Sequence, residues 1–321
     1  MRKFISKGSF GAWIRELKET YKLYYPAPAD KGWDWSVWEG KQNFFLEGYR
    51  PLLPVKYLFF SPEESLAAGE QEPAIVFGVR GCDLRALQLL KKIYLDAPED
   101  VYFRKETLIF GADCTACHEH CFCTLLGDDP WPGEGFDLNF SPMEEGYLVE
   151  SGSKKGEELL AGRFFTETRE EHAGERDERR KEVKKILRKQ NQNKVLNLQD
   201  LKKHIIEEKI VFRDYGSTCV SCSACTNICP GCFCFFLAEG KEQKVRYMDS
   251  CQLKGYHRVA GGANPRKDMT SRFKHRFQCK FYWRPEMQGY KGCTGCGRCI
   301  TACQGKIDWK HVLIELKPAN I

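Results

Sequence analysis

The sequence predicts an α+β chain of two domains: an N-terminal α/β domain with a short parallel or mixed sheet over residues 1–150, and a C-terminal helical domain over residues 209–321. Three observations carry this. Two apolar runs, residues 74–79 (AIVFGV) and 107–111 (TLIFG), flank a segment of helical periodicity. Eight cysteines fall in two runs of identical spacing near the C-terminus. Between these regions, residues 151–208 are dominated by charge, including RDERRKEVKKILRKQ, which reads as a solvated helical linker.

The N-terminal elements follow in order. Phe10, Trp13, Ile14, Leu17 and Tyr21 share one helical face over residues 10–21, with Ser9 as the expected cap. After the strand at 74–79, Asp83 is the expected cap of a helix whose Leu84, Leu87, Leu90 and Ile93 recur at helical spacing. The strand at 107–111 closes a strand, helix, strand unit and hence a parallel pair. Strand-like pieces at 135–140 and 146–150 end the sheet. In the C-terminal domain Phe273, Phe277 and Phe281 repeat every four residues as a core stripe, which leaves Arg272, Lys274, Arg276 and Lys280 for a solvated or partner-facing side.

The cysteine runs carry the chemistry. Cys219, Cys222, Cys225 and Cys229 read C-x2-C-x2-C-x3-C, and Cys293, Cys296, Cys299 and Cys303 repeat that spacing. Two intervening residues let a tight loop wrap three thiolates round a cubane, and the fourth ligand comes from the other run. The spacing therefore predicts a helical two-cluster ferredoxin domain. One 4Fe-4S cluster sits on Cys219, Cys222, Cys225 and Cys303, and a second on Cys293, Cys296, Cys299 and Cys229. Proline follows the first run at Pro230, but Gln304 follows the second. Zinc sites need paired C-x2-C units rather than this third step, so a zinc-bound interaction module is the weaker alternative.

Seventeen cysteines in 321 residues demand a metal or a disulfide framework. The start, MRKFISKGSF, has no apolar signal core, and no apolar run reaches membrane-spanning length, so a reducing cytoplasm and metal ligation are expected. The formal charge of +6 is largely offset by cluster charge, and basic and acidic residues alternate, which argues against nucleic acid. There is no G-x-G-x-x-G after a strand and no P-loop, so neither flavin nor nicotinamide is expected on this chain.

Cys82 and Cys114 follow the two predicted strands and lie at the carboxyl edge of the sheet, where open α/β sheets bind ligands. Cys121 and Cys123 come a few residues later in CTACHEHCFC. Cys82, Cys114, Cys121 and Cys123 are candidate ligands of a third cubane, with Cys117, His118 and His120 competing. An open metal position there would instead make this site catalytic, with Glu119 and the two histidines moving protons.

FGVRGCDLRALQLL, CTACHEHCFCTLLG, GFDLNF, GYLVESGSKKGEELL, SCSACTNICPGCFCF, MDSC, RVAGGANPRK, RFKHRF and GCTGCGRC occur in this order. In them the chain resembles the iron-sulfur beta subunits of cytoplasmic sulfhydrogenases and the related iron-sulfur subunits of anaerobic sulfite reductases, over roughly residues 50–315. The C-terminal half is similar to the helical ferredoxin subunits of heterodisulfide reductases and to the iron-sulfur subunits of succinate dehydrogenases. The resemblance implies a non-catalytic relay subunit. Its partners would be two: one subunit that binds flavin and NAD(P), and one that holds the catalytic metal of a hydrogenase or sulfite reductase. It also implies Cys82, Cys114, Cys121 and Cys123 as ligands, with Cys117 outside the pattern. Cys232, Cys234 and Cys251 match family positions, as packing thiols or substitute ligands, and Cys279 is expected to be an ordinary core thiol.

Overall fold

The structure, a computed structural model, describes residues 1–30, 32–42, 44, 46–59, 61–65, 72–95, 107–241 and 243–316. The N-terminal part runs β1 (Arg2–Ser6), α1 (Lys7–Lys18), β2 (Lys22–Ala29), β3 (Gly32–Val37), β4 (Glu63–Ser65), β5 (Ala74–Val79), α2 (Gly81–Leu95), β6 (Thr107–Ala112), β7 (Leu138–Pro142), β8 (Gly146–Ser151) and α3 (Lys154–Leu160). Seven of these strands form one mixed sheet in the order β1-β8-β7-β6-β5-β2-β3. Its centre, β2, β5, β6 and β7, is parallel, and the flanking strands pair antiparallel.

β5 is buried at every residue because helices cover both faces. Ile75 and Phe77 pack with Phe10, Trp13 and Ile14 of α1, whereas Val76 and Val79 pack with Leu84, Leu87 and Leu90 of α2. The strand, helix, strand unit is therefore as the periodicity predicts. Both expected caps are displaced. Ser6, not Ser9, caps α1, its Oγ accepting from the Ser9 amide at 3.2 Å, and the helix stops at Lys18 short of Tyr21. Asp83 lies inside the first turn of α2, where its carboxylate has a different partner described below.

The remainder is mostly helical: α4 (Glu170–Gln190), α5 (Leu198–Glu207), α6 (Ile210–Ser217), α7 (Ala224–Asn227), a hairpin of β9 (Phe235–Glu239) and β10 (Lys244–Met248), α8 (Met269–Gln278), a π-helical segment Cys279–Trp283, α9 (Arg284–Gln288), α10 (Arg298–Thr301) and α11 (Trp309–Glu315). Phe273, Phe277 and Phe281 are the core stripe, and Phe277 stacks on Trp309 with ring centroids 4.9 Å apart. The charged α4 keeps a narrow buried face of Arg176, Val183 and Leu187. Arg180 on the same helix forms a two-pronged pair with Asp113 at the end of β6, at 2.7 and 3.0 Å, and so fixes α4 against the sheet edge.

The two halves interlock. β4, from the N-terminal part, pairs with β10 in a small sheet ordered β4-β10-β9. At the centre of the contact Arg298, one residue before Cys299, makes two 2.7 Å bonds to the Asp83 carboxylate, and both side chains are sealed from solvent. Its remaining N–H groups donate to the carbonyls of Pro51 and Leu52.

Removing one partner of such a pair leaves a bare buried charge. Asp83→Ala is expected to lower stability by about 3–5 kcal/mol. Asp83→Leu combined with Arg298→Met should cost clearly less, as anaerobic chemical denaturation would measure.

Candidate metal centres

The two C-terminal cysteine runs fold as two copies of one loop. Ser221 and Ser223 in the first run, and Gly295 and Gly297 at the corresponding positions of the second, all adopt left-handed backbone with φ between 56° and 72°. A single helical turn, α7 or α10, follows at once and carries the third cysteine of the run. The residue types differ because the surroundings differ. A Cβ at Gly295 would lie 2.5 Å from the backbone of Cys123, and one at Gly297 would lie 2.1 Å from the His120 carbonyl. In the first run Ser221 uses its side chain to donate to the Gln252 carbonyl at 2.6 Å.

Cys219, Cys222 and Cys225 line one cavity together with Cys303 of the other run. Cys293, Cys296 and Cys299 gather with Cys229 in a second group within electrostatic reach of one another. Lys280 Nζ donates to Cys229 Sγ at 3.1 Å. A second cavity is lined by Cys82, Cys114, Cys117, Cys121 and Cys123 together with Cys296.

In the N-terminal group, Cys82 opens α2 and Cys114 lies two residues past β6, both at the carboxyl edge of the parallel strands. The Cys121 loop is held from the charged helix. Gln190 Nε2 donates to the carbonyls of His118, Glu119 and Cys121 at 3.0, 2.6 and 2.9 Å, and Asn191 Nδ2 reaches Thr124 Oγ1 at 3.2 Å. His118 and His120 do not border the cavity. His118 Nδ1 accepts from the His120 amide at 3.2 Å, and His120 faces Glu119 at 3.6 Å. Cys117 does border it, with its thiol directed to Gln190 Oε1 at 3.7 Å.

Burial pushes the thiols of Cys114 and Cys225 up to about 12 and holds Cys82 and Cys299 well above the ordinary thiol range. A coordinating metal deprotonates such thiols outright. Buried polar atoms around all three groups await an acceptor or donor: Arg50 Nη2 and Arg80 Nε beside the N-terminal cavity, Ser223 Oγ at the first C-terminal group, and Thr294 Oγ1 and Arg276 Nε at the second. Cationic N–H groups aimed at a thiolate group with its sulfides fit an anionic cluster. Among the described residues no three His, Cys, Asp or Glu side chains converge as ligands of a single ion do.

Two expectations need correction. Arg272, Arg276 and Lys280 are not a solvated face, since each is at most 5 % exposed. Arg272 donates to the carbonyls of Gln252 and Lys267, Arg276 to that of Cys225, and Lys280 to Cys229 Sγ; only Lys274 keeps solvent contact. The apolar stripe of α8 fills the core, and the flanking cations turn to carbonyls and to one cysteine sulfur instead of to water. Cys279 is not an ordinary core thiol either. It is half-buried, belongs to no apolar cluster, and faces Arg284 and other cysteines. Sequence reasoning also missed Arg50, whose Nε donates to the Cys296 carbonyl, and Arg298. The one local signal for Arg298 was its place inside GCGRC.

Residues 218–307, spanning both cysteine runs, match the family model described as a 4Fe-4S dicluster domain. Over 97% of its length the chain is 30% identical to sulfhydrogenase 2 subunit beta of Pyrococcus furiosus, covering 97% of that protein as well. None of the described helices is long and apolar enough to cross a membrane.

Gly295→Ala should separate the second run from the Cys121–Cys123 loop. The expected result is loss of iron from both the N-terminal and the second C-terminal group, with the Cys219 group retained. Iron and acid-labile sulfide assays on anaerobic protein read this directly.

Proposed function

This chain belongs to the family of sulfhydrogenase beta subunits, and we propose that it is the electron relay of a multi-subunit cytoplasmic oxidoreductase. It would work between two partners, one binding flavin and NAD(P) and the other holding a catalytic metal of hydrogenase or sulfite-reductase type. The dicluster domain and the family make it an iron-sulfur electron-transfer subunit. The finer reading rests on how the three cysteine groups are joined.

The observation that carries it is shared structure between neighbouring groups. Cys296 belongs to the second C-terminal group and also borders the N-terminal cavity, where Arg50 holds its carbonyl. Arg276 lies between the C-terminal groups, donating to the Cys225 carbonyl within reach of Cys299 and Cys229. The order in space is therefore N-terminal group, second group, first group. Cys222 of the first group is exposed, which supports that end as a docking point for a partner.

A 4Fe-4S cluster on each group supplies a one-electron carrier whose potential responds to nearby charge and hydrogen bonds. The chain's residues supply the rest. Cys82, Cys114, Cys121 and Cys123 would hold the N-terminal cluster, Cys293, Cys296, Cys299 and Cys229 the next, and Cys219, Cys222, Cys225 and Cys303 the outermost. Burial opposes the charge on Lys280, yet Cys229 and Cys232 hold its ammonium above the usual lysine range. A fixed cation of this kind favours the more negative, reduced form of whatever the thiolates bind.

In the assembled complex, Cys82→Ser with Cys114→Ser is expected to remove about four iron atoms per chain. Nicotinamide-linked turnover should fall to background while the partners' separate dye-linked activities survive. The isolated chain should show no hydrogen or sulfite turnover. Turnover by the chain alone would transfer the chemistry to the N-terminal site, and colourless zinc protein would end the relay reading.

A further inference from the structure

Cys222 and Val220 are the exposed members of the first cysteine loop. Both border the cavity of the first C-terminal group, and Gln252 lines the same cavity. Two segments therefore frame the solvent edge of that group, the cysteine loop itself and the chain that runs on from Gln252. They are joined directly, since Ser221 Oγ donates to the Gln252 carbonyl at 2.6 Å.

Residues 253–267 form a lobe pinned at both ends by one buried side chain. Arg272 donates through Nε to the Gln252 carbonyl at 3.0 Å and through Nη1 to the Lys267 carbonyl at 2.7 Å. Asn264 Nδ2 ties across to the Lys254 carbonyl at 2.8 Å. At the tip, Gly261 and Gly262 adopt left-handed backbone with φ of 82° and 81°, and nothing lies within 4 Å of where a Cβ would stand on either. Ala260 to Ala263 are all exposed. The base of the lobe is fixed beside the first group, while its tip is backbone and small side chains that another surface can approach closely.

The lobe carries charge of one sign. From Ser250 to Lys267 the chain has Lys254, Arg258, Arg266 and Lys267 and no Asp or Glu. Arg266 packs over the Trp283 ring at 5.5 Å. Lys254, Arg258 and Lys267 are exposed, and among the described residues none of them is paired with a carboxylate. Lys306, between the cavity-lining Gly305 and Ile307, is a further exposed and unpaired cation. The acids that flank the lobe in the chain are engaged: Asp249 accepts from the Ser250 amide at 2.6 Å, and Asp268 caps α8, accepting from the Ser271 amide at 2.8 Å. On α4, by contrast, exposed cations meet acids one turn away, Arg179 with Glu175 and Lys181 with Glu178. Apolar side chains accompany the free cations, with Val220, Leu253 and Val259 at 59 %, 42 % and 55 % exposure.

We propose that this lobe and the first cysteine loop are the docking surface for a protein partner whose own one-electron centre is ringed by Asp and Glu. The surface takes its role from the relay reading and adds to it the chemistry of the partner. A thiolate-bound cluster at the Cys219 group is anionic, and a second anionic carrier brought up to it is repelled unless cations stand between them. Lys254, Arg258, Lys267 and Lys306 are placed to do this, and an acidic rim on the partner is what they attract. Electron-transfer pairs commonly meet over small areas, where such complementarity governs the rate of encounter more than the affinity.

The test uses the anaerobically purified complex with its subunits present. A carbodiimide, which joins an amine to a carboxylate in direct contact with it, should couple Lys254, Lys267 or Lys306 to Asp or Glu of a redox partner, and high salt should suppress the coupling. Lys254→Glu with Arg258→Glu should leave the iron and acid-labile sulfide content unchanged. It should slow electron transfer between chain and partner by about 10- to 100-fold at low ionic strength, the difference vanishing in high salt. Unchanged or faster transfer in that variant with its clusters intact, or couplings confined to other lysines, overturns this surface and leaves the relay standing. A colourless chain containing zinc without sulfide overturns both. Should the variant fail to fold, the wild-type complex decides, couplings at Lys254, Lys267 or Lys306 sustaining the surface and couplings only elsewhere overturning it.

Discussion

A charged pair with no access to water holds this protein together. Arg298 sits between the second and third cysteines of the second run, and its guanidinium is spent on Asp83 in the first turn of α2 and on carbonyls of residues 51 and 52. Attraction between charges in a low-dielectric interior is strong only when geometry is good and every donor is used, and here both conditions hold. The consequence is that the cysteine loop at the sheet edge and the loop at residues 293–303 cannot move independently. Gly295 and Gly297 complete the lock by letting two backbones touch, and the Gly295 carbonyl accepts from the Phe122 amide at 2.7 Å.

A second constraint governs the helical half. Its arginines and lysines are buried in numbers that a hydrophobic core does not tolerate without anions, and few carboxylates are there to meet them. Arg276, Lys280, Arg284 and Lys56 point instead at cysteines and at the carbonyls of cysteine loops. The net charge of the chain is thus a property of its interior as much as of its surface. Anionic groups beside these buried cations would offset the cost of removing them from water.

Much of this was legible in the chain. Local rules gave the strands at 74–79 and 107–111, the helix between them, the core stripe of phenylalanines, and the eight cysteines whose spacing implies crossed ligation. Each of these rests on contacts between residues close in sequence or on a repeat that a ligand imposes. What stayed hidden rests on long-range choice. Asp83 does not cap α2 because its carboxylate is taken by Arg298, a partner more than two hundred positions away. The cations flanking the phenylalanine stripe read as solvated because periodicity reports only which side is apolar, and it cannot report that the opposite side is packed against the loops that carry the cysteines. The strands β1 to β3 and the small β4-β10-β9 sheet carry no strong alternation, and the pairing of β4 with β10 joins segments about 180 residues apart.

The sequence by itself therefore determined the kind of chemistry: cysteine type, number and spacing dictate iron-sulfur ligation, since three thiols two residues apart can wrap one cubane and little else. Tertiary structure alone decided the arrangement. It brought Cys82 and Cys114 from the ends of two strands to the Cys121 loop and placed Cys296 at that cavity's wall. The physical reason is that ligand spacing is a local covalent property, whereas burial of charge is settled only when the whole chain has chosen what lies next to it.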